Sequence, residues 1–235
     1  NINGKFHGAV SVKNSLAHSY NLASINLALD TGLEHIRDIA DLFGIYNQKP
    51  KHPSVILGAC ETTLLKLTTA YAMIFNGGYY IKPSFFNAYA QRKISCVNKN
   101  TSKCDIECQK SLGAVPLLTA LKNNQRVATP QAIFGMLEML RAVITDGTGR
   151  SLLPLEKKLG VTLRGKTGTT NNNMDAWFIG CVSIPGTTYQ DDNPLVIGVF
   201  VGFLKPKNLR SGGAAIAMPI YSNFIKNVLS DTLIR

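Results

Sequence analysis

The chain has 235 residues, 45% of them hydrophobic, with a mean hydropathy of +0.06. That is enough to bury one substantial core and too apolar for a disordered polymer. Lys and Arg number 25 against 14 Asp and Glu, a net charge of +11 that favours anionic partners. The basic residues are dispersed, however, and the aromatic-interleaved patterns of single-strand binding are missing, which argues against nucleic acid.

In chain order, residues 9–30 read as helical. Val10, Val12 and Leu16, then Leu22, Ile25, Leu27 and Leu29, form an apolar stripe interrupted at Ser19-Tyr20-Asn21. A polar break of this kind predicts a helix end followed by a helix start, with Ser19 or Asn21 as cap. A second helix is predicted over 35–43, closed by Gly44. Between Gly58 and Gly77 the residues Leu64, Leu65, Leu67, Ala70, Tyr71, Ile74 and Phe75 carry a helical pattern that Gly77-Gly78 stops, and Tyr79-Tyr80-Ile81 turns extended before Pro83. Residues 85–90 read as a strand entering a polar segment at 91–114 that has the composition of a surface insertion.

Thr129-Pro130 opens a long amphipathic helix through Phe134, Leu137, Leu140, Ala142 and Val143, ended by Gly147-Thr148-Gly149. The period then changes to that of strands at 161–164, 176–183 and 195–203, the last two joined through Pro185-Gly186 as an antiparallel meander. A final helix runs from Gly213 through Ile220, Phe224, Ile225 and Val228. Helices, then strands, then a closing helix predict an α+β fold in which helices pack on a mostly antiparallel sheet.

The cysteines are Cys60, Cys96, Cys104, Cys108 and Cys181. Three fall within the polar segment, a spacing that suits a local disulfide in an oxidising compartment. A metal site fails on ligand count, because Cys96 is the only near third thiolate and no His lies close in sequence. Cys60 and Cys181 sit in apolar surroundings and read as buried small hydrophobes. No run of eighteen apolar residues is present, so no membrane-spanning helix is read here. Asn1 opens nothing like a signal peptide.

Two short stretches carry chemistry. In Lys166-Thr167-Gly168-Thr169-Thr170, Lys166 is expected at the end of an edge strand, where its ammonium can hold a carboxylate and lower the pKa of a neighbouring hydroxyl. Thr167 and Thr169, two apart, face one side of a strand and can both meet a ligand carboxylate, while Gly168 removes a side chain where something lies close. An exposed edge there can accept an extended peptide, with the Thr169 backbone N–H on an oxyanion. The bland reading is a hydrophilic strand end and turn. In Ser19-Tyr20-Asn21 a hydroxyl and an amide share one turn and can relay a proton and orient a substrate amide. Taken alone, that stretch is also a helix cap. Both together, in this order, point to serine acyl transfer on a peptide.

On these motifs the chain resembles the transpeptidase domain of class A penicillin-binding proteins, within the serine DD-peptidase and β-lactamase superfamily. The resemblance covers nearly the whole chain, through Ser19-Tyr20-Asn21, Thr145-Asp146-Gly147-Thr148-Gly149-Arg150-Ser151, Arg164-Gly165-Lys166-Thr167-Gly168-Thr169-Thr170, Asp175-Ala176-Trp177-Phe178-Ile179-Gly180 and Ser211-Gly212-Gly213 before Pro219. It implies catalytic roles for Ser19 in proton transfer, for Lys166, and for Thr169 through its oxyanion-binding N–H. It implies substrate-binding roles for Asn21, which contacts the acyl donor, and for Thr167, Gly168 and Thr170, with Thr167 and Thr169 on the terminal carboxylate. Trp177 reads as groove support. The implied partners are peptidoglycan stem peptides, β-lactams and other cell-wall synthesis or division proteins. No cofactor or metal is implied. The implied location is the bacterial cell envelope, on the extracytoplasmic face of the membrane, with membrane contact made by an upstream segment.

One departure stands out. The family's nucleophile, a Ser followed three residues later by Lys, occurs at no position, and only eighteen residues precede Ser19. The expectation is therefore a domain whose nucleophile helix, glycosyltransferase domain and anchor lie upstream, so that these residues alone are inactive. The alternatives are a peptide-binding pseudo-enzyme and a carboxypeptidase or β-lactamase on the same scaffold.

Overall fold

The computed structural model describes residues 7–46, 52–83, 125–183 and 194–233. Its helices are α1 (Val12–His18), α2 (Asn21–Thr31), α3 (Leu33–Leu42), α4 (Leu64–Phe75), α5 (Pro130–Thr145), α6 (Leu153–Leu159) and α7 (Gly213–Leu233), and its strands are β1 (Thr162–Thr169), β2 (Asp175–Ser183) and β3 (Leu195–Gly202). Among the described residues the strands form one antiparallel sheet of order β1-β2-β3. Polar residues start α1, α4 and α5 by accepting orphan N–H groups: Ser11 from Asn14 (3.2 Å), Thr63 from Lys66 (3.2 Å) and Thr129 from Ala132 (3.3 Å).

Helices cover both faces of the sheet, so the central strand β2 is apolar at alternate positions on each side. Ala176, Phe178 and Val182 pack with Leu163 of β1 and with Ala217, Tyr221 and Ile225 of α7. The Phe178 and Tyr221 rings meet edge to face at 4.7 Å, a favoured aromatic geometry. On the other face Cys181 packs with Phe75 of α4 and Ile133, Leu137 and Leu140 of α5. Buried Ala17 marks the inner side of α1, which packs against α5.

A largely buried ion pair ties three elements together. Arg141 of α5 meets Glu156 of α6 through two bonds of 2.6 Å, and the same guanidinium donates to the Leu163 carbonyl at 3.1 Å. The Leu163 N–H donates to the Glu156 carboxylate at 2.8 Å. One fork-to-fork pair thus holds both polar groups of a β1 residue on the side away from β2.

The α+β arrangement read from the sequence is the one observed, with local differences. α4 spans Leu64–Phe75, the same residues that carry the apolar pattern, and a separate 3-10 turn at Pro53–Leu57, ended by the left-handed Gly58 (φ 86°), precedes it. β1 runs through Thr169, since pairing with β2 continues past the apolar residues. α6 was absent from the sequence reading, although Pro154 in its first turn and left-handed Gly160 after its end bracket it. Cys181 is buried as expected, whereas Cys60 is only half-buried. The strand read at 85–90, the polar segment at 91–114 with its three cysteines, and the Pro185-Gly186 turn lie outside the described residues.

Candidate active site

The break between α1 and α2 creates the first half of the site. Ser19 takes a left-handed backbone (φ 57°, ψ 48°) and closes α1, its N–H reaching the Leu16 carbonyl at 3.3 Å. That conformation is uncommon for a residue with a Cβ. Tyr20 then turns extended and α2 starts at Asn21. Asn21 is therefore the first helical residue and not a cap, and Ser19 caps through its backbone instead of its hydroxyl. The turn is held from several sides: Ser24 donates to the Tyr20 carbonyl at 3.1 Å, and the Tyr20 ring stacks with His7 at 4.2 Å and His18 at 5.4 Å.

Lys166 supplies the second half. It lies within β1, not at its end, and its ammonium donates to the Ser19 hydroxyl and to the Thr167 carbonyl (3.0 Å). Two groups 147 positions apart thus meet at one point. Burial pushes the Lys166 ammonium down to about 8 from its ordinary 10.5, because desolvation disfavours the charged form.

Between pH 8 and 10.5 the unfolded lysine keeps a proton that the folded one has lost, so stability rises with pH across this window. The Lys166 contribution is about 3 kcal/mol, at about 1.4 kcal/mol per pH unit. Carbon-detected NMR of the Lys166 Cε is expected to titrate at about pH 8, and a midpoint near 10.5 would remove the buried-amine reading.

The neighbouring motif residues divide by face. Thr167 pairs across from Phe178 and Thr169 from Ala176, so both lie on the α7 side of β1, opposite to Lys166. The Thr167 hydroxyl bonds the Thr148 hydroxyl at 2.8 Å. The Thr169 hydroxyl accepts the Gly213 N–H at 3.0 Å, capping α7. Thr170 closes the β1–β2 turn: its hydroxyl donates to the Asp175 carboxylate (3.1 Å) and accepts the Asp175 N–H (2.8 Å). Gly168 lies opposite Trp177, whose half-buried ring meets Phe200 at 4.4 Å. A Cβ on Gly213 would lie 2.3 Å from the Trp177 carbonyl and 2.6 Å from that of Gly168, so only glycine lets α7 start this close to the sheet.

The ladder phase leaves part of β1 outward-facing. Thr170 donates to Asp175 across the sheet (3.2 Å), whereas both polar groups of Leu163 point to α5 and α6. By the alternation of an antiparallel pair, Gly165, Thr167 and Thr169 share the outward phase of Leu163. The arrangement therefore places a buried amine against a hydroxyl on one face of an edge strand, and main-chain donors along the edge itself.

Sequence reasoning named Ser19, Asn21 and the motif residues of β1. It placed Gly147 and Gly149 in a loop beside the cleft that also ends the preceding helix, but it missed Thr148 and the Gly213 contact. The repeated small and hydroxyl residues of Gly147-Thr148-Gly149 were the available signal. A Cβ on Gly147 would fall 2.2 Å from the Ala17 carbonyl, so this loop is pressed against the end of α1.

Residues 1–225 match the family model described as the penicillin binding protein transpeptidase domain. The chain is 33% identical over 98% of its length to penicillin-binding protein 1A of Rickettsia conorii, of which it spans 28%, and 31% identical over 97% to that of Aquifex aeolicus, of which it spans 27%. Among solved structures, penicillin-binding protein 1A from Haemophilus influenzae superposes with a TM-score of 0.70 at 23% identity, covering 98% of this chain and 36% of the other. Penicillin-binding protein A from M. tuberculosis, solved as an imipenem acyl-enzyme, superposes with a TM-score of 0.65 at 20% identity, covering 96% and 50%. At these identities both share the fold.

Proposed function

This chain belongs to the penicillin-binding protein transpeptidase domain family, and we propose that it supplies the second and third motifs of a peptidoglycan D,D-transpeptidase whose attacking serine lies outside these 235 residues. The observation that carries this reading is the contact between Lys166 and Ser19. An amine whose pKa is lowered to about 8, set against a hydroxyl, can take up and return a proton far more readily than an ordinary lysine. The relatives named penicillin-binding protein 1A support the class A resemblance, and their greater length supports a nucleophile segment elsewhere in the protein.

In the proposed reaction a serine oxygen bonds to the penultimate D-alanine carbonyl of a stem peptide as its proton leaves toward the Ser19 and Lys166 pair. The peptide C–N bond then breaks, and the departing D-alanine amine takes a proton from the same pair. An amine of a neighbouring stem then attacks the acyl-enzyme carbonyl, the ester C–O bond breaks as the amine's proton passes through the same pair to the serine oxygen, and the new amide is the cross-link. The Thr169 N–H stabilises the oxyanion, Asn21 holds the donor amide, Gly168 and Thr170 shape the edge, and Thr167 and Thr169 engage the terminal carboxylate. A charge-assisted hydrogen bond of that kind contributes about 1.5–3 kcal/mol. The site of action is the outer face of the bacterial membrane, and β-lactams acylate the same serine.

Fluorescent penicillin is expected to label the full-length protein and not the 235-residue chain. Incubation with a stem peptide and an amine acceptor is expected to give a transfer product. Hydrolysis without transfer points to a carboxypeptidase or β-lactamase, and an unlabelled full-length protein to a peptide-binding module.

A further inference from the structure

We propose that Thr148 is a positioning residue that sets the polarity of the Thr167 hydroxyl, making it a donor to a ligand carboxylate. The inference rests on the carboxylate-binding role proposed above for Thr167. Thr148 is anchored independently of any ligand: its N–H donates to the Ala17 carbonyl at 3.1 Å, and Gly147 is pressed against that same carbonyl. On the other side a Cβ on Gly149 would meet Ile144 Cδ1 at 2.8 Å, so the loop is seated against α5 as well. Its hydroxyl lies 2.8 Å from that of Thr167, and both residues are half-buried. Thr148 thereby touches the end of α1, two residues before Ser19, and the strand residue next to Lys166.

Each hydroxyl carries one proton, so the link uses one and leaves the other to be offered outward. An ionised carboxylate only accepts, and it therefore selects the order in which Thr148 donates to Thr167 and Thr167 donates to the ligand. A donor on the Thr167 oxygen also polarises its O–H and strengthens the outward bond. Without Thr148 the Thr167 hydroxyl is free to rotate and loses that support. The amine contributes separately, since Lys166 reaches the Thr167 carbonyl rather than its hydroxyl.

The test compares acylation of the full-length protein by benzylpenicillin and by its methyl ester, which lacks the anionic carboxylate. In Thr148→Val the free-acid rate is expected to fall about 5–10-fold further than the ester rate, the effect of one hydrogen bond. Thr148→Ser, which keeps the hydroxyl, is expected to restore the preference. Thr167→Val is expected to lose the preference by a larger factor. If both rates fall equally in Thr148→Val, the residue is a spacer and the inference is overturned. It is overturned also if Thr148→Ser fails to restore the preference. If Thr167→Val keeps the wild-type preference, the carboxylate reading of Thr167 fails and the inference falls with it. Absence of acylation in the unaltered full-length protein overturns both.

Discussion

Replacing Lys166 with alanine is expected to slow acylation of the full-length protein by fluorescent penicillin by about 10²–10⁴-fold, the range for loss of a positioned proton-transfer group. The size of the effect follows from where the amine sits. Its ammonium contacts the Ser19 hydroxyl and the Thr167 carbonyl, so alanine removes the partner of a hydroxyl that is held in place by a left-handed turn. Arginine does not substitute, because its fixed fork is larger and holds its proton at any working pH. Ser19→Ala removes the other half of the pair and is expected to fall within the same range. The double variant is expected to be little worse than either single variant, as for residues that act as one unit. Additive losses would show that Lys166 and Ser19 act separately. A loss below about tenfold in Lys166→Ala would remove the amine from proton transfer altogether.

Arg141→Ala is expected to destabilise the domain by about 3–5 kcal/mol, because it leaves the Glu156 carboxylate buried without its partner. The Glu156 side chain is 10% exposed and that of Arg141 25%, and the pair also satisfies both main-chain groups of Leu163. For a domain of this size the loss corresponds to a fall in thermal midpoint of about 6–20 °C, at about 2–4 °C per kcal/mol. Scanning calorimetry of the full-length protein measures it. A joint Arg141→Met and Glu156→Leu change removes both charges and is expected to recover part of the loss. Recovery stays incomplete because the Leu163 N–H loses its acceptor. A midpoint unchanged by Arg141→Ala would show that the pair is not needed to hold α5, α6 and β1 together.

Lys166 and Ser19 stood out because hydroxyls, an amine and glycines cluster in short stretches where periodic apolar residues lapse. Their meeting across 147 positions, however, is a property of topology that no local pattern encodes. It entered the sequence reading through family resemblance. Helix limits were legible where the chain carries its own punctuation, as at Thr129-Pro130 and Gly44, and less so at α6, whose start runs on from a 3-10 turn at Arg150–Leu152.

Glu156 and Arg141 were overlooked for a different reason. A carboxylate in a short lysine-containing helix reads as a solvated face, and only the packing of α6 on β1 turns it inward. Thr169 shows the same limit at the scale of one hydroxyl. Strand alternation correctly put it on the side of Thr167, but not that α7 would start there and draw its oxygen into a cap. Residue preference offers Ser19 or Asn21 as the cap at this break; Ser19 closes α1 through its backbone N–H, and the extended Tyr20 starts α2 without a side-chain cap.

On the proposed reading, the edge strand bearing Lys166, Thr167 and Thr169 and the turn bearing Ser19 and Asn21 bound one peptide-sized cleft. A crystal structure of the full-length protein acylated by benzylpenicillin tests it most directly. The expected adduct has its ester carbonyl oxygen on the Thr169 N–H, its carboxylate within hydrogen-bonding reach of the Thr167 hydroxyl, and its side-chain amide against Asn21. An adduct on a serine remote from Lys166, or one lying off the β1 edge, would contradict it.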